Sequence, residues 1–578
     1  MSPSTTDPIT LEVMRNAFYS IADEMIAALV RASYSTNIKD RRDASCAVYT
    51  HAGDLVAQSE IGTPLHLGTM NSAVRTAMAA YAFEQLEPGD ALAFNTPYPA
   101  GPGHLNDLCV ISPVFHDGRI SAITANQAHH VDMGGFAPGS MPFGVTEIYQ
   151  EGLQIPPVRL FHHGELDQGL WALIAQNVRT PFEVRGDLQA QYAANVVGAQ
   201  RLAELVTKYG VRSIEQYLQE MLHYSERRMR AALRTLPQGT YHFADVMEGD
   251  GISDRRYTIR ATVEARGDTF HVDFSASDDA ARGPLNCRWP SVAACVYYVL
   301  KATLDPELPA NAGAYRPIEI VVRDGSLLSA VYPNAVCNAN IITTQRIVDV
   351  LLGALAQAIP DKVIAACSGT MNLLNIGGMD PRNNVYYNYI ETYGGGQGAM
   401  HNQDGMDAVQ NHMTNTRNAP VEAIEVAYPL RVESYGLIPD SEGAGTQRGG
   451  LGMRRAMRVL GKEVRLTLSS DRAEVSPWGL FGGRAARPSR CMILHPDGSE
   501  QRLPSKVTTF VDGNHVIVTE TPGGGGWGEP ERRDPQAVRW DVLEGLITRE
   551  RAREVYRVAI DARTMQVDEV ETRWLRSQ

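Results

Sequence analysis

NTPYPAGPGHLNDLCVISPVFHDGRISAITANQAHHVDMGG, residues Asn95 to Gly135, is the stretch around which this chain is organised. His104 and Asp107 close a Pro/Gly-rich loop. Two apolar segments follow, separated by the turn signal His116-Asp117-Gly118-Arg119, and the chain then reaches His129, His130 and Asp132. Two strands joined by a tight turn bring the chain back to its starting point, so His129 or His130 is expected beside His104 and Asp107. Two imidazoles and a carboxylate suit a divalent metal such as Zn, Mn or Fe, and three protein ligands leave a coordination position open for water. Such a position is what metal-assisted hydrolysis uses.

Working outward toward the N-terminus, Asp7-Pro8 offers a helix cap. Leu11 to Ser33 then repeats apolar residues at helical spacing through Val13, Ala17, Ile21, Met25 and Leu29. The polar cluster Asp40-Arg41-Arg42-Asp43 leads into a strand over Cys46 to Tyr49, with a turn at Ala52-Gly53 and a second strand. Asp43, immediately before that strand, reads either as a fourth ligand or as an Arg-paired carboxylate. His66, in an apolar setting, reads as a structural histidine.

Toward the C-terminus, Leu170 to Tyr209 and Ser213 to Leu236 read as helices, and Gly210 ends the first run. Composition then shifts. Gly239 to Ser275 alternates polar residues with Tyr, Val, Ile and Thr, as an antiparallel sheet does. Ser291 to Leu304 and Asn338 to Ile359 read as apolar helices, and Pro535 to Tyr556 as a final surface helix. The Gly-rich runs YGGGQG (393–398) and TPGGGGWGEP (521–530) lack the Lys-Ser/Thr of a phosphate loop, so they read as a plain turn and a flexible exit from the last sheet.

With 578 residues the chain is too long for a single core. The expected fold is α+β and multidomain, with mixed sheets, long N-terminal helices and a β-rich C-terminal part. The expected division is a helical and metal-bearing region over 1–235, a mixed region over 236–440, a β-rich region over 441–530 and a helical tail over 531–578. A net charge of -13 argues against general nucleic-acid binding, which needs a basic surface. No apolar run approaches the roughly 20 residues of a membrane span. MSPSTTDPIT lacks a basic n-region and an apolar h-region, so a cytoplasmic protein that engages no membrane is expected. Seven scattered cysteines without a CxxC pair argue against a disulfide framework or a thiolate zinc site.

The segments DPITLEVMRNAFYSIADEM, SYSTNIKDRRDASCAVY, GTPLHLGTMNSAV, HHVDMGG, RGPLNC, TQRIVDVLLGAL, ETYGGGQGA and TPGGGGWGEP, with the loop from Tyr98 to Asp107, occur in order along the chain. In this it resembles the hydantoinase B/oxoprolinase family. The resemblance implies a metal-dependent subunit of an ATP-dependent cyclic amidohydrolase. It would open a hydantoin, N-methylhydantoin, 5-oxoproline or related lactam after a hydantoinase A-type subunit, which binds ATP and Mg, has phosphorylated the carbonyl or enol oxygen of the cyclic amide. A hetero-oligomer follows. The resemblance also implies metal ligands at Asp43, His104, Asp107 and His129, which selects His129 over His130. His130 and Asp132 are then candidate catalytic residues, as ligand orienters or proton acceptors. The loop departs from the family pattern: Ala100-Gly101-Pro102-Gly103 precedes His104 where two glycines and a Thr are usual, and Asn106 follows Leu105 where a Pro is usual. A ketone carboxylase subunit and a non-catalytic scaffold of the ATP-binding partner are the rival readings.

Overall fold

The computed structural model describes residues 7–578; the leader-free reading of the first ten residues rests mostly on residues 1–6, outside the described residues. The stretch from Asn95 to Gly135 is built on a hairpin of β4 (Asp107–His116) and β5 (Arg119–His129). Its two-residue turn, Asp117-Gly118, has positive φ at both positions (48° and 74°), the geometry that matches the right-handed twist of the strands and that Asp-Gly adopts readily. Pairing runs back to Asp107 opposite His129, so the hairpin does return the chain to its origin.

Around this hairpin lies a seven-stranded antiparallel sheet. Its other strands are β1 (Ala44–Thr50), β2 (Leu55–Gln58), β3 (Ala91–Phe94), β6 (Val158–His162) and β7 (Glu165–Leu166), in the order β2-β1-β5-β4-β3-β6-β7. Both faces of β1 are buried, and strand alternation explains why its sequence is small and apolar throughout. Ala44, Cys46 and Val48 pack with Met14, Phe18, Ile21 and Met25 of helix α1 (Pro8–Ala32) and with Ala190 and Ala194 of the helix Pro181–Tyr209. Ala47 and Tyr49 face the opposite core, where α3 (His66–Ala80) meets the helix Trp289–Leu304; the short α2 (Thr36–Lys39) lies between α1 and β1. The cap on α1 is the anticipated one: the Asp7 carboxylate accepts from the backbone N–H groups of Ile9 and Thr10.

Three further sheets complete the α+β architecture. β8 (Gly239–Met247), β9 (Tyr257–Arg266) and β10 (Thr269–Asp273) form the expected antiparallel set, to which β11 (Ile318–Val321) adds in parallel. β12 (Leu373–Met379) and β13 (Tyr386–Thr392) join β16 (Val464–Ser469) and β19 (Lys506–Val511), so one sheet draws strands from both sides of residue 440. β14 (Leu430–Leu437), β15 (Met453–Val459), β20 (Val516–Glu520), β17 (Arg490–Leu494) and β18 (Glu500–Leu503) make the last sheet, in that order.

Three local expectations change. The helix expected from Asn338 begins at Thr343, because Asn338 is held in a turn by bonds to Met141 O, Pro142 O and Ser469 Oγ. The single helix expected over Pro535 to Tyr556 is two, Pro535–Leu543 and Arg549–Glu554, interrupted where Gly545 takes φ 70°. The Gly-rich runs are neither an exposed turn nor a flexible exit. They are buried against each other, and a Cβ on Gly396 would lie 2.1 Å from Gly450 O and 2.2 Å from Gly524 N. All seven cysteines are buried and unpaired, and among the described residues no helix is long and apolar enough to cross a membrane.

Candidate metal centre

The hairpin register brings His104, Asp107 and His129 together at the end of the first sheet. Asp107 opens β4, His129 closes β5 directly opposite, and His104 sits one turn of loop earlier. The loop is held in shape by Asn95, whose amide donates to Leu105 O and Leu153 O and accepts from Ile155 N, and by Asn106, which bonds His130 O and Gly139 O. Gly103 is required for a close approach: a Cβ there would fall 2.3 Å from the Asn340 side chain.

Donor atoms of His104, Asp107 and His129 all lie within 4.8 Å of one another, and the three residues are buried. His104 Nδ1 is 3.0 Å from Cys337 O, so that nitrogen carries a proton and Nε2 is turned toward Asp107 Oδ1 at 3.2 Å. The other carboxylate oxygen accepts from Asn340 Nδ2 at 3.3 Å. The Asn37 amide nitrogen is 2.6 Å from His129 O and 3.0 Å from His129 Nδ1, while Arg41 donates to the Asn37 amide oxygen. With its oxygen held by Arg41, the Asn37 amide donates to His129, so Nδ1 accepts and the proton of the neutral ring sits on Nε2. Asp43 falls outside the tight group but lines the same cavity, with Oδ1 accepting from Thr63 Oγ1 at 3.1 Å.

Burial and charge act in opposite directions on these groups. Burial pulls His104 down, but the Asp107 carboxylate outweighs it and the imidazole titrates above its ordinary value. Burial pushes Asp107 up, and the facing His104, with His66 and His129, holds it well below the carboxylate range. His129 goes the other way, down to about 4, chiefly through burial, so its ring is neutral at physiological pH. A neutral imidazole, an ionised carboxylate and a second imidazole whose proton a cation can replace form a donor set that fits a divalent transition metal. Asn340 Oδ1, buried and without a partner at the same place, is a further oxygen such an ion would satisfy. The cavity itself measures about 30 Å³, which is room for an ion and a water or two.

His66, buried and hydrogen-bonded as its reading as a structural histidine expects, also lines this cavity. Its Nδ1 is 2.8 Å from Ser45 Oγ, which leaves Nε2 for the cavity, and burial lowers its pKa. The apolar residues around it in sequence belong to the core-facing side of α3, while the ring, at the first position of that helix, faces the ligands. The signal in the sequence is the Thr63-Pro64 turn, because Thr63 binds both Asp43 and Ser45 and so carries His66 to them. Arg41, buried and lining the cavity, is a second residue missed; it donates to Ile390 O and Thr392 Oγ1 and ties the site to β13.

His130 and Asp132 lie elsewhere. Adjacent residues at a strand end point to opposite faces, and His130 turns toward the helix Pro181–Tyr209, where Nε2 is 2.9 Å from Gln191 Oε1. Asp132 accepts four bonds: from the backbone N–H groups of Gly134, Gly139 and Arg179 and from the Arg179 guanidinium. It knots the loop behind the centre, and neither residue lines the cavity.

Comparison with known proteins agrees along nearly the full length. The chain is 38% identical to an uncharacterised protein of Methanocaldococcus jannaschii over 96% of both chains. It is 32% identical to the B-type subunit of a putative D-/L-hydantoinase of Pseudomonas sp. strain NS671, over 96% of this chain and 95% of the relative. Among solved structures, the ATP-dependent caprolactamase of Pseudomonas jessenii superposes with a TM-score of 0.91 at 30% identity, covering 99% of this chain and 100% of that one. Acetone carboxylase in its nucleotide-free form superposes with a TM-score of 0.93 at 21% identity, covering 99% of this chain and 83% of that one, which establishes a shared fold. With the hydantoinase B/oxoprolinase model matching residues 7–530, the chain belongs to that family.

Proposed function

We propose that this chain is the metal-bearing subunit of an ATP-dependent enzyme that opens a cyclic amide, acting with an A-type subunit that binds ATP and Mg. The observation that carries this reading is the convergence of His104, Asp107 and His129, with Asp43 beside them, on a buried cavity that holds little more than an ion and its water. Relatives named as a hydantoinase B-type subunit and as an ATP-dependent caprolactamase support the substrate class.

The chemistry follows from the amide. Resonance makes a lactam or hydantoin carbonyl a poor electrophile, and an unstrained ring gains little by opening. Phosphorylation of the carbonyl oxygen by the partner removes that resonance and couples opening to ATP. His104, Asp107, His129 and Asp43 would hold a divalent ion such as Zn, Mn or Fe. When bound, such an ion supplies Lewis acidity and lowers the pKa of a coordinated water toward neutrality. The remaining work falls to the chain. Cys337 O fixes the His104 tautomer, Thr63 orients Asp43, and the Arg41 charge meets the negative charge of an activated substrate. His66, neutral and facing the cavity, is placed to exchange a proton with the leaving nitrogen.

The rival reading is a ketone carboxylase subunit, which joins an activated enol to carbon dioxide at the same site. Full coverage of the caprolactamase chain, against 83% of the acetone carboxylase chain, favours the hydrolase. Products decide between them. Reconstitution with the ATP-binding partner should yield a ring-opened amino or carbamoyl acid and ADP; a carbon dioxide-dependent β-keto acid would establish the carboxylase, and activity untouched by metal removal would establish a scaffold.

A further inference from the structure

A second set of metal-binding side chains lies apart from the first centre in the sequence and shares no residue with it. Asp349, on the helix Thr343–Leu355, meets Cys367 and His412 from two loops; their donor atoms lie within 4.8 Å of one another and all three side chains are buried. His412 Nε2 is 3.3 Å from Asp349 Oδ1. Arg472 holds the opposite oxygen, Oδ2, at 2.8 Å, which orients the carboxylate and leaves Oδ1 facing the imidazole. The Gly398 N–H donates to Cys367 Sγ at 3.4 Å. His412 has φ 54°, left-handed backbone that a non-glycine residue adopts only where its surroundings impose it.

Beside this cluster three buried carboxylates, Asp245, Asp349 and Asp471, face three buried cations, Arg346, Arg472 and Lys506, linked by Arg346–Asp471, Arg472–Asp245 and Lys506–Asp471 pairs of 2.7 to 2.8 Å. Those charges balance, and Cys367 and His412 stand outside the ion pairs that balance them. Two buried oxygens on neighbouring residues have no hydrogen-bond partner: Asn411 Oδ1, on the residue before His412, and Gln345 Oε1, one helical turn from Asp349.

We propose that Asp349, Cys367 and His412 form a second, structural site for a thiophilic divalent cation of the zinc type. Coordination forms a metal–sulfur bond and releases the Cys367 thiol proton to solvent. The ion would pin the helix Thr343–Leu355 to the loop carrying Cys367 and to the loop carrying His412.

The test uses the full chain stripped of metal and titrated with Co²⁺. Two equivalents should bind, with a thiolate-to-cobalt charge-transfer band in the near ultraviolet. In Cys367→Ser one equivalent and the band should both disappear. In His104→Ala one equivalent should disappear and the band should remain, so failure of the first centre is distinguishable from failure of the second. The wild-type spectrum decides alone if a variant does not fold: a chain that saturates without a thiolate band overturns the proposal and leaves His412 protonated beside a free thiol.

Discussion

Glu151→Gln tests the electrostatics behind the metal centre. Glu151 is fully buried, and its Oε1 accepts from the backbone N–H groups of Val336 and Cys337 at 2.6 and 2.8 Å. The Cys337 carbonyl in turn takes the His104 Nδ1 proton. Oε2 has no partner, and burial raises the carboxyl from 4.5 to about 7. The sign follows from which state holds the proton. Below pH 4.5 both states are protonated and the group contributes nothing. As pH rises toward 7 the unfolded chain ionises first, and stability falls until the folded carboxyl ionises as well. At about 1.4 kcal/mol per pH unit, this group alone lowers stability by about 2 to 3 kcal/mol between pH 5 and pH 8. The glutamine side chain of the variant keeps an acceptor for both amides and cannot ionise. Its buried NH₂ adds a penalty that does not vary with pH, so the difference between pH 5 and pH 8 should shrink by that amount. Urea unfolding of metal-stripped wild type and variant at both pH values measures it. Equal pH dependence in the two proteins would refute the buried, proton-holding carboxyl.

Further expectations concern the centre and the fold. His104→Ala and Asp107→Ala should lose the ion and abolish ring opening while ATP hydrolysis by the partner persists in part; metal analysis and a coupled ADP assay of the reconstituted pair check both. His66→Asn should keep the ion and slow turnover by about 10²-fold or more, as loss of a proton-transfer group does, with the pH profile changed; loss of the metal instead would make His66 a ligand. Glu151→Ala, which frees two buried amides, should weaken metal affinity by about 10- to 100-fold, read by competition with a chelator. Gly396→Ala, whose Cβ would collide with Gly450 O and Gly524 N, should destabilise the chain by about 1 to 3 kcal/mol, seen as a lower thermal midpoint.

Local signals with a single physical reading carried through to the structure. The Asp117-Gly118 turn sets the hairpin, but the turn register alone would put Ala128 opposite Asp107; a one-residue bulge at Ser121 shifts the pairing and brings His129 there. The period of α1 and the alternation over β8 to β10 were equally plain, because each element buries one repeating face. What stayed hidden depends on contacts between distant segments. His66 reads as core because its sequence neighbours are core; only Thr63 bonded to Asp43 reveals its direction. His130 and Asp132 sit next to a ligand in sequence, yet strand alternation and the Arg179 knot carry them behind the centre. The glycines of 393–398 and 521–528 look like flexible linkers in isolation, and their small size is explained only by the backbone of the other loop lying against them.

The most direct test is anomalous diffraction from crystals of an active preparation, collected on both sides of the absorption edge of the metal found by elemental analysis. One anomalous peak should lie among His104 Nε2, the Asp107 carboxylate and His129, within reach of Asp43. Fully active crystals with no peak there would contradict the account.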